Sequence, residues 1–204
     1  HPLSTPMVVR SLDPQKDLFR PKQPGEDILG PEIPYLNAIG GLMYLAQCTR
    51  PDIAFAVNLL ARFSSEPTRR HWNGIKHIFR YLRGTTDMGL FYSKNFTNSG
   101  LVGYADAGYK SDPHKARSQT GYLFCYNSTA ISWRSTKQTL VATSSNHSEI
   151  ISLYEAGREC VWLRSVIAHI QNSCGLKPIV DSPTIIYEDN AACIAQIRGG
   201  YKSR

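Results

Sequence analysis

The sequence predicts an α+β protein, and three observations carry that reading. Apolar residues recur at helical spacing from Tyr35 to Gly84. Between Leu101 and Lys137 they alternate instead, as in half-buried strands. From Asn146 the helical period returns over a long stretch, followed by one more apolar strand and a short helix. A helical unit therefore precedes a strand-rich unit that ends in strand and helix.

Bulk properties narrow the function classes. The 204 residues are 42% hydrophobic and 19% charged, which is ordinary for a globular protein. A net charge of +7 favours a polyanionic partner, nucleic acid before membrane, although a soluble basic protein without such a partner has the same composition. Five scattered cysteines, odd in number and without a Cys-x-x-Cys pair, argue against a disulfide framework or a zinc site. They fit an intracellular, reducing compartment, cytoplasm or nucleus. No apolar run approaches the ~18 residues of a membrane span, and no signal peptide is visible. The chain reads as a piece of something larger.

Residues 1–33 carry six of the twelve prolines, so residues 1–34 are expected to be an extended arm or linker, with Met7-Val8-Val9 its only candidate strand. The helical unit spans residues 35–84. Its first helix carries Leu36, Ile39, Leu42 and Met43, and Pro51 suits the first turn of the second. The third starts after Pro67-Thr68, with Trp72, Ile75, Phe79 and Leu82 as its expected apolar face, and stops at Gly84. From Arg69 to Arg83 it holds five cations, Arg69, Arg70, Lys76, Arg80 and Arg83, and no acid. Such a face can track a phosphate backbone, or it can simply be solvated.

The remainder, residues 85–204, opens with an expected strand at Gly89–Tyr92 and a polar turn at Asn95–Gly100. Strands follow at Leu101–Ala107, Gly121–Tyr126 and Ala130–Lys137, with Asn127-Ser128-Thr129 as a hairpin turn and Lys110–Gln119 as a basic loop. The long helix aligns Glu149, Leu153, Ala156, Cys160, Leu163, Ile167 and Ile170 on one face. Pro183–Asp189 is the last strand, with Ile185, Tyr187 and Asp189 on one side, and Asn190–Arg198 the last helix.

Three acids occupy comparable topological points. Asp106 ends a strand beside small residues, Glu149 opens the long helix on its buried face, and Asp189 ends the strand after that helix. A right-handed crossover would make the two strands parallel neighbours, with both C-terminal ends at the edge where α/β sheets bind ligands. Each acid also has a structural explanation: turn chemistry for Asp106, a capping arrangement with Asn146 for Glu149, and a helix N-terminus for Asp189. Together they point to a site. Converging carboxylates hold hard divalent cations, Mg2+ or Mn2+. Two such ions about 3.5–4 Å apart support phosphodiester cleavage. There is no Gly-rich phosphate loop and no Gly-x-Ser-x-Gly elbow. His147 reads as a residue of the helix start.

These motifs bear a family resemblance. Tyr35-Leu-Asn-Ala-Ile-Gly-Gly-Leu-Met-Tyr-Leu, Thr49-Arg-Pro-Asp-Ile-Ala-Phe-Ala-Val and His77-Ile-Phe-Arg-Tyr-Leu-Arg-Gly-Thr resemble the end of the reverse transcriptase in Ty1/copia-type retrotransposon polyproteins. Gly103-Tyr-Ala-Asp-Ala-Gly-Tyr, Ser118-Gln-Thr-Gly-Tyr, Ile131-Ser-Trp-Arg-Ser-Thr-Lys-Gln, Ser144-Ser-Asn-His-Ser-Glu and Glu188-Asp-Asn-Ala-Ala resemble their ribonuclease H, most closely in plant elements. The resemblance implies a ribonuclease-H-like mixed sheet, truncated at its C-terminus and preceded by a thumb or connection fragment. It implies catalytic and metal-binding roles for Asp106, Glu149 and Asp189, with Mg2+ or Mn2+ as cofactor. The substrate implied is an RNA–DNA hybrid, selected through the 2′-hydroxyl, and the basic helix would grip the duplex. Other parts of the polyprotein, or a larger assembly, are the further partners. The implied truncation sets a catalytically inactive, nucleic-acid-binding or structural descendant beside the enzyme.

Overall fold

In the computed structural model, which describes residues 1–93, 100–176 and 183–200, the chain divides into two units. The first comprises His1–Leu90 and Ser111–Ala116, and the second Phe91–Lys110 together with the chain from Arg117 onward.

The first unit is helical. Helices α1 (Tyr35–Cys48), α2 (Ala54–Ala61) and α3 (Arg69–Gly84) enclose Leu42, Ile53, Val57, Leu59, Leu60, Ile75 and Ile78, none more than 1% exposed. Burying each such side chain contributes about 1.5–3 kcal/mol. Pro51 opens a 3-10 turn, Pro51–Ile53, that leads into α2. The Thr49-Arg-Pro-Asp-Ile motif is structural here. Arg50 pairs with Asp52 at 2.7 Å and donates to Thr85 Oγ1 at 2.7 Å, while the Tyr81 hydroxyl donates to Asp52 at 2.7 Å. The start of α2 is thus fastened to the end of α3.

Two expectations change in this unit. Residues 1–34 contain no helix or strand, Met7-Val8-Val9 included, yet Asp17 and Phe19 are buried and Phe19 belongs to the helical core. A Cβ at Gly74 would stand 2.7 Å from the Phe19 ring, so the bare helix face admits the ring. The buried stripe of α3 is His71, Gly74, Ile75, Ile78 and Tyr81, whereas Phe79 is 43% exposed. Hydrogen bonding explains the rotation. The Thr68 N–H donates to His71 Nδ1 at 3.0 Å, which leaves the proton on Nε2, facing the Arg20 carbonyl at 3.1 Å. Burial holds this imidazole below its ordinary pKa, hence neutral.

The second unit is a mixed four-stranded sheet in the order β3-β2-β1-β4, with β1 Leu101–Asp112, β2 Arg117–Tyr126, β3 Thr129–Lys137 and β4 Ile185–Tyr187. Helix α4 (Ser145–Ser173) packs Ala156, Cys160 and Leu163 onto Ala105, Tyr122 and Phe124, and α5 (Ala191–Gly199) follows β4. A Cβ at Gly103 would lie 2.5 Å from the Phe124 ring, so the glycine makes room for the largest fully buried side chain. Asn127 and Ser128, with φ of 50° and 64°, form the tight two-residue turn between β2 and β3.

The β1–β2 strands extend into most of the expected Lys110–Gln119 loop, because Ser118 and Gln119 are buried and Lys110 N–H bonds to Ser118 Oγ. Gly89–Tyr92 is not a strand: Phe91 and Tyr92 meet Thr129 and Ala130 through side-chain hydrogen bonds rather than a backbone ladder. The buried stripe of α4 ends on Gln171, with Ile170 54% exposed. The turn expected at Asn95–Gly100 lies, but for Gly100, outside the described residues. Among the described residues, no helix is long and apolar enough to cross a membrane.

Candidate metal centre

Strands β1 and β4 run parallel, with Tyr104 opposite Tyr187. Their rings stack with centroids 5.4 Å apart. Asp106 follows Tyr104 by two residues inside β1, which runs on to Asp112 rather than ending there as expected, and Asp189 follows Tyr187 by two residues just past β4. Glu149 arrives from the first turns of α4, whose N-terminus is capped by Ser144 Oγ accepting the His147 N–H at 3.1 Å. One carboxylate oxygen from each of Asp106, Glu149 and Asp189 lies within 4.8 Å of the other two. All three acids named from the sequence are thereby brought together.

Their environments differ. Asp106 and Asp189 are exposed, and Glu149 is 6% exposed. Burial, then the neighbouring charges of Glu188, Asp106 and Asp189, push the Glu149 carboxyl up to about 7, although the Ala107 N–H donates to it. Its Oε2 has no hydrogen-bond partner among the described residues. A buried anion beside like charges is costly, and a cation bound among them relieves that cost. The donor set fits a hard cation: all donors are oxygen, and such ions hold oxygens at about 2–2.6 Å, which spans the observed separation.

Glu188 is the acid that sequence reasoning missed. Its Oε2 is also buried without a partner among the described residues, Oε1 accepts the Asn190 N–H at 3.1 Å, and burial raises its pKa, with Asp189 and Asp106 adding to the shift. The signal was its place beside Asp189 in Glu188-Asp-Asn, but the strand's alternation assigns Glu188 to the other face. His147 lies outside the acid cluster and accepts the Thr143 N–H at 3.3 Å.

The basic residues of α3 belong to the helical unit. Arg69, Lys76, Arg80 and Arg83 are exposed, with Arg80 donating to the His1 carbonyl at 2.9 Å. Arg70 is ion-paired with Glu26.

No protein-family model matches the chain, and no solved structure matches it. Curated proteins do. A secreted RxLR effector protein 161 of Plasmopara viticola is 47% identical over 131 residues, covering 64% of this chain and 92% of that protein. The retrovirus-related Pol polyprotein from transposon TNT 1-94 of Nicotiana tabacum is 42% identical over 139 residues, covering 68% of this chain and 10% of the polyprotein. The corresponding polyprotein from transposon RE1 of Arabidopsis thaliana is 35% identical over 189 residues, or 93% of this chain and 12% of its own. The chain thus spans about a tenth of the length of these polyproteins.

Proposed function

Because the chain belongs to the Ty1/copia-type retrotransposon Pol polyproteins, we propose that its second unit is a ribonuclease H module that hydrolyses the RNA strand of RNA–DNA hybrids. The observation that carries this reading is the meeting of Asp106, Glu149 and Asp189 carboxylate oxygens within 4.8 Å, with Glu149 Oε2 buried and without a partner among the described residues. These three residues would hold Mg2+ or Mn2+. The chemistry such ions supply when bound is activation of a water and stabilisation of the leaving oxygen. Asp106 and Asp189 present their carboxylates to solvent, where substrate arrives. Glu149 anchors the site from beneath, oriented by the Ala107 N–H. Glu188 adds negative charge without belonging to the closest triad. Recognition of RNA would rest on the 2′-hydroxyl, and the exposed cations Arg69, Lys76, Arg80 and Arg83 would contact phosphates.

A second reading is a non-catalytic nucleic-acid-binding or structural protein derived from a retrotransposon. It is favoured by one observation: the relative 47% identical to this chain is a protein in its own right, matched over 92% of its length.

Cleavage of a labelled RNA–DNA hybrid in Mg2+ or Mn2+, wild type against Asp106→Asn, separates the two readings. Metal-dependent cleavage that vanishes in the variant is the expected result. Hybrid bound by both proteins and cut by neither would leave the non-catalytic reading standing.

A further inference from the structure

Ser152 is 0% exposed and lies one turn after Glu149 on α4. Its hydroxyl faces the carbonyl oxygen of Asp106 at 2.6 Å and that of Gly121 at 3.1 Å. Glu149 accepts the backbone N–H of Ala107. The Asp106 carbonyl and the Ala107 N–H are the two ends of one planar peptide unit. Two side chains of one helix, at i and i+3, therefore hold both ends of the peptide that follows Asp106. The same helix end is fastened to the sheet again by Gln138, whose Nε2 donates to the Ser148 carbonyl at 3.0 Å and to Thr120 Oγ1 at 3.1 Å.

We infer that Ser152 is a positioning residue of the metal centre: by fixing the Asp106–Ala107 peptide against α4, it sets the separation of the Asp106 and Glu149 carboxylates. This rests on the metal-site reading above. The hydroxyl touches no ligand. It acts through the strand, so its removal leaves both carboxylates in place but frees the peptide between them to rotate. Groups that orient metal ligands from behind typically change metal affinity by about 10–100-fold. Ser148 supplies the control. It is equally buried and on the same helix, but among the described residues its hydroxyl bonds only to the Ser145 carbonyl, at 2.6 Å, within α4.

The test is Mn2+ titration by calorimetry on the full chain, beside thermal melts, for wild type, Ser152→Ala and Ser148→Ala. Ser152→Ala is expected to weaken Mn2+ binding at least about 10-fold, with Ser148→Ala matching wild type in affinity and Ser152→Ala in melting temperature. Equal Mn2+ affinity in wild type and Ser152→Ala overturns the positioning role while leaving the metal site intact. A wild type that binds no Mn2+ overturns both. Should Ser152→Ala fail to fold, Ser152→Cys keeps the volume with a weaker donor. It is then expected to show the same loss of affinity in reduced measure, and wild-type affinity in that variant overturns the role.

Discussion

Asp17 and Glu149 are both buried carboxylates, 3% and 6% exposed, one in each unit, and they are treated oppositely. Asp17 is surrounded by donors. Arg10 binds its two oxygens at 3.1 and 2.6 Å, the Phe19 N–H donates at 3.0 Å, and His114 Nε2 lies 3.0 Å away. Burial alone would raise its pKa, but Arg10, Phe19 and His114 outweigh it and hold the carboxyl below the ordinary carboxylate range. Glu149 has one backbone donor, an oxygen unpartnered among the described residues and three carboxylate neighbours, and its pKa goes up. The cost of desolvation is common to both. In the helical unit the fold itself supplies the compensating cations, whereas at the sheet edge Glu149 Oε2 has no hydrogen-bond partner among the described residues.

The largest effects should come from breaking this contrast directly. Asp17→Asn leaves Arg10, whose side chain is 8% exposed, without its counterion. Removing one partner of a buried pair costs about 3–5 kcal/mol, to be read from denaturant unfolding. Glu149→Gln should act in the opposite sense without added metal. At pH 8 with chelator the variant is expected to be more stable than wild type, by up to about 3 kcal/mol, and to lose the stabilisation that Mn2+ gives wild type. A destabilised variant under those conditions would show that Glu149 is already compensated.

Next in size is a difference in pH dependence. The Glu149 carboxyl, raised to about 7, contributes fully below the unfolded-state value of 4.5 and loses that contribution as pH rises between the two. Asp17, held below 3.8, contributes above that value and loses its part as pH falls through the folded pKa. His71, held below 6.5, favours the fold above 6.5 and loses that advantage as pH falls. Hydrogen exchange should therefore show α4 amides less protected, and α3 amides more protected, as pH rises from about 4.5 to 7 in metal-free buffer. Parallel pH trends in the two helices would break the contrast. The smallest effect concerns the surface. Lys76→Ala and Arg83→Ala should each weaken nucleic-acid binding uniformly across sequences and lower the salt slope by about one, measured by fluorescence anisotropy.

How much of this was legible depended on regular periodicity. Alternation in the sequence places Asp106 and Asp189 at strand ends and Glu149 on a helical stripe, which is enough to bring them to one edge, although β1 runs on past Asp106 to Asp112 and β4 stops at Tyr187. Glu188 sits on the opposite parity of the same strand end and was hidden by that rule. Asp17 and Phe19 lie in a proline-rich stretch without period, where only tertiary contacts decide burial. The face of α3 was misjudged for a related reason. His71 and Tyr81 look polar in sequence but are buried because the fold completes their hydrogen bonds with Thr68, Arg20 and Asp52. Ser152 was invisible too, since a serine within an amphipathic stripe carries no mark of the two strand carbonyls it meets.

The most direct measurement is a 13C NMR titration of the Glu149 carboxyl, without metal and in excess Mg2+. A metal centre at this edge predicts an apparent pKa of about 7 without metal, falling into the ordinary carboxylate range when Mg2+ is added. An ordinary value that Mg2+ does not move would contradict it.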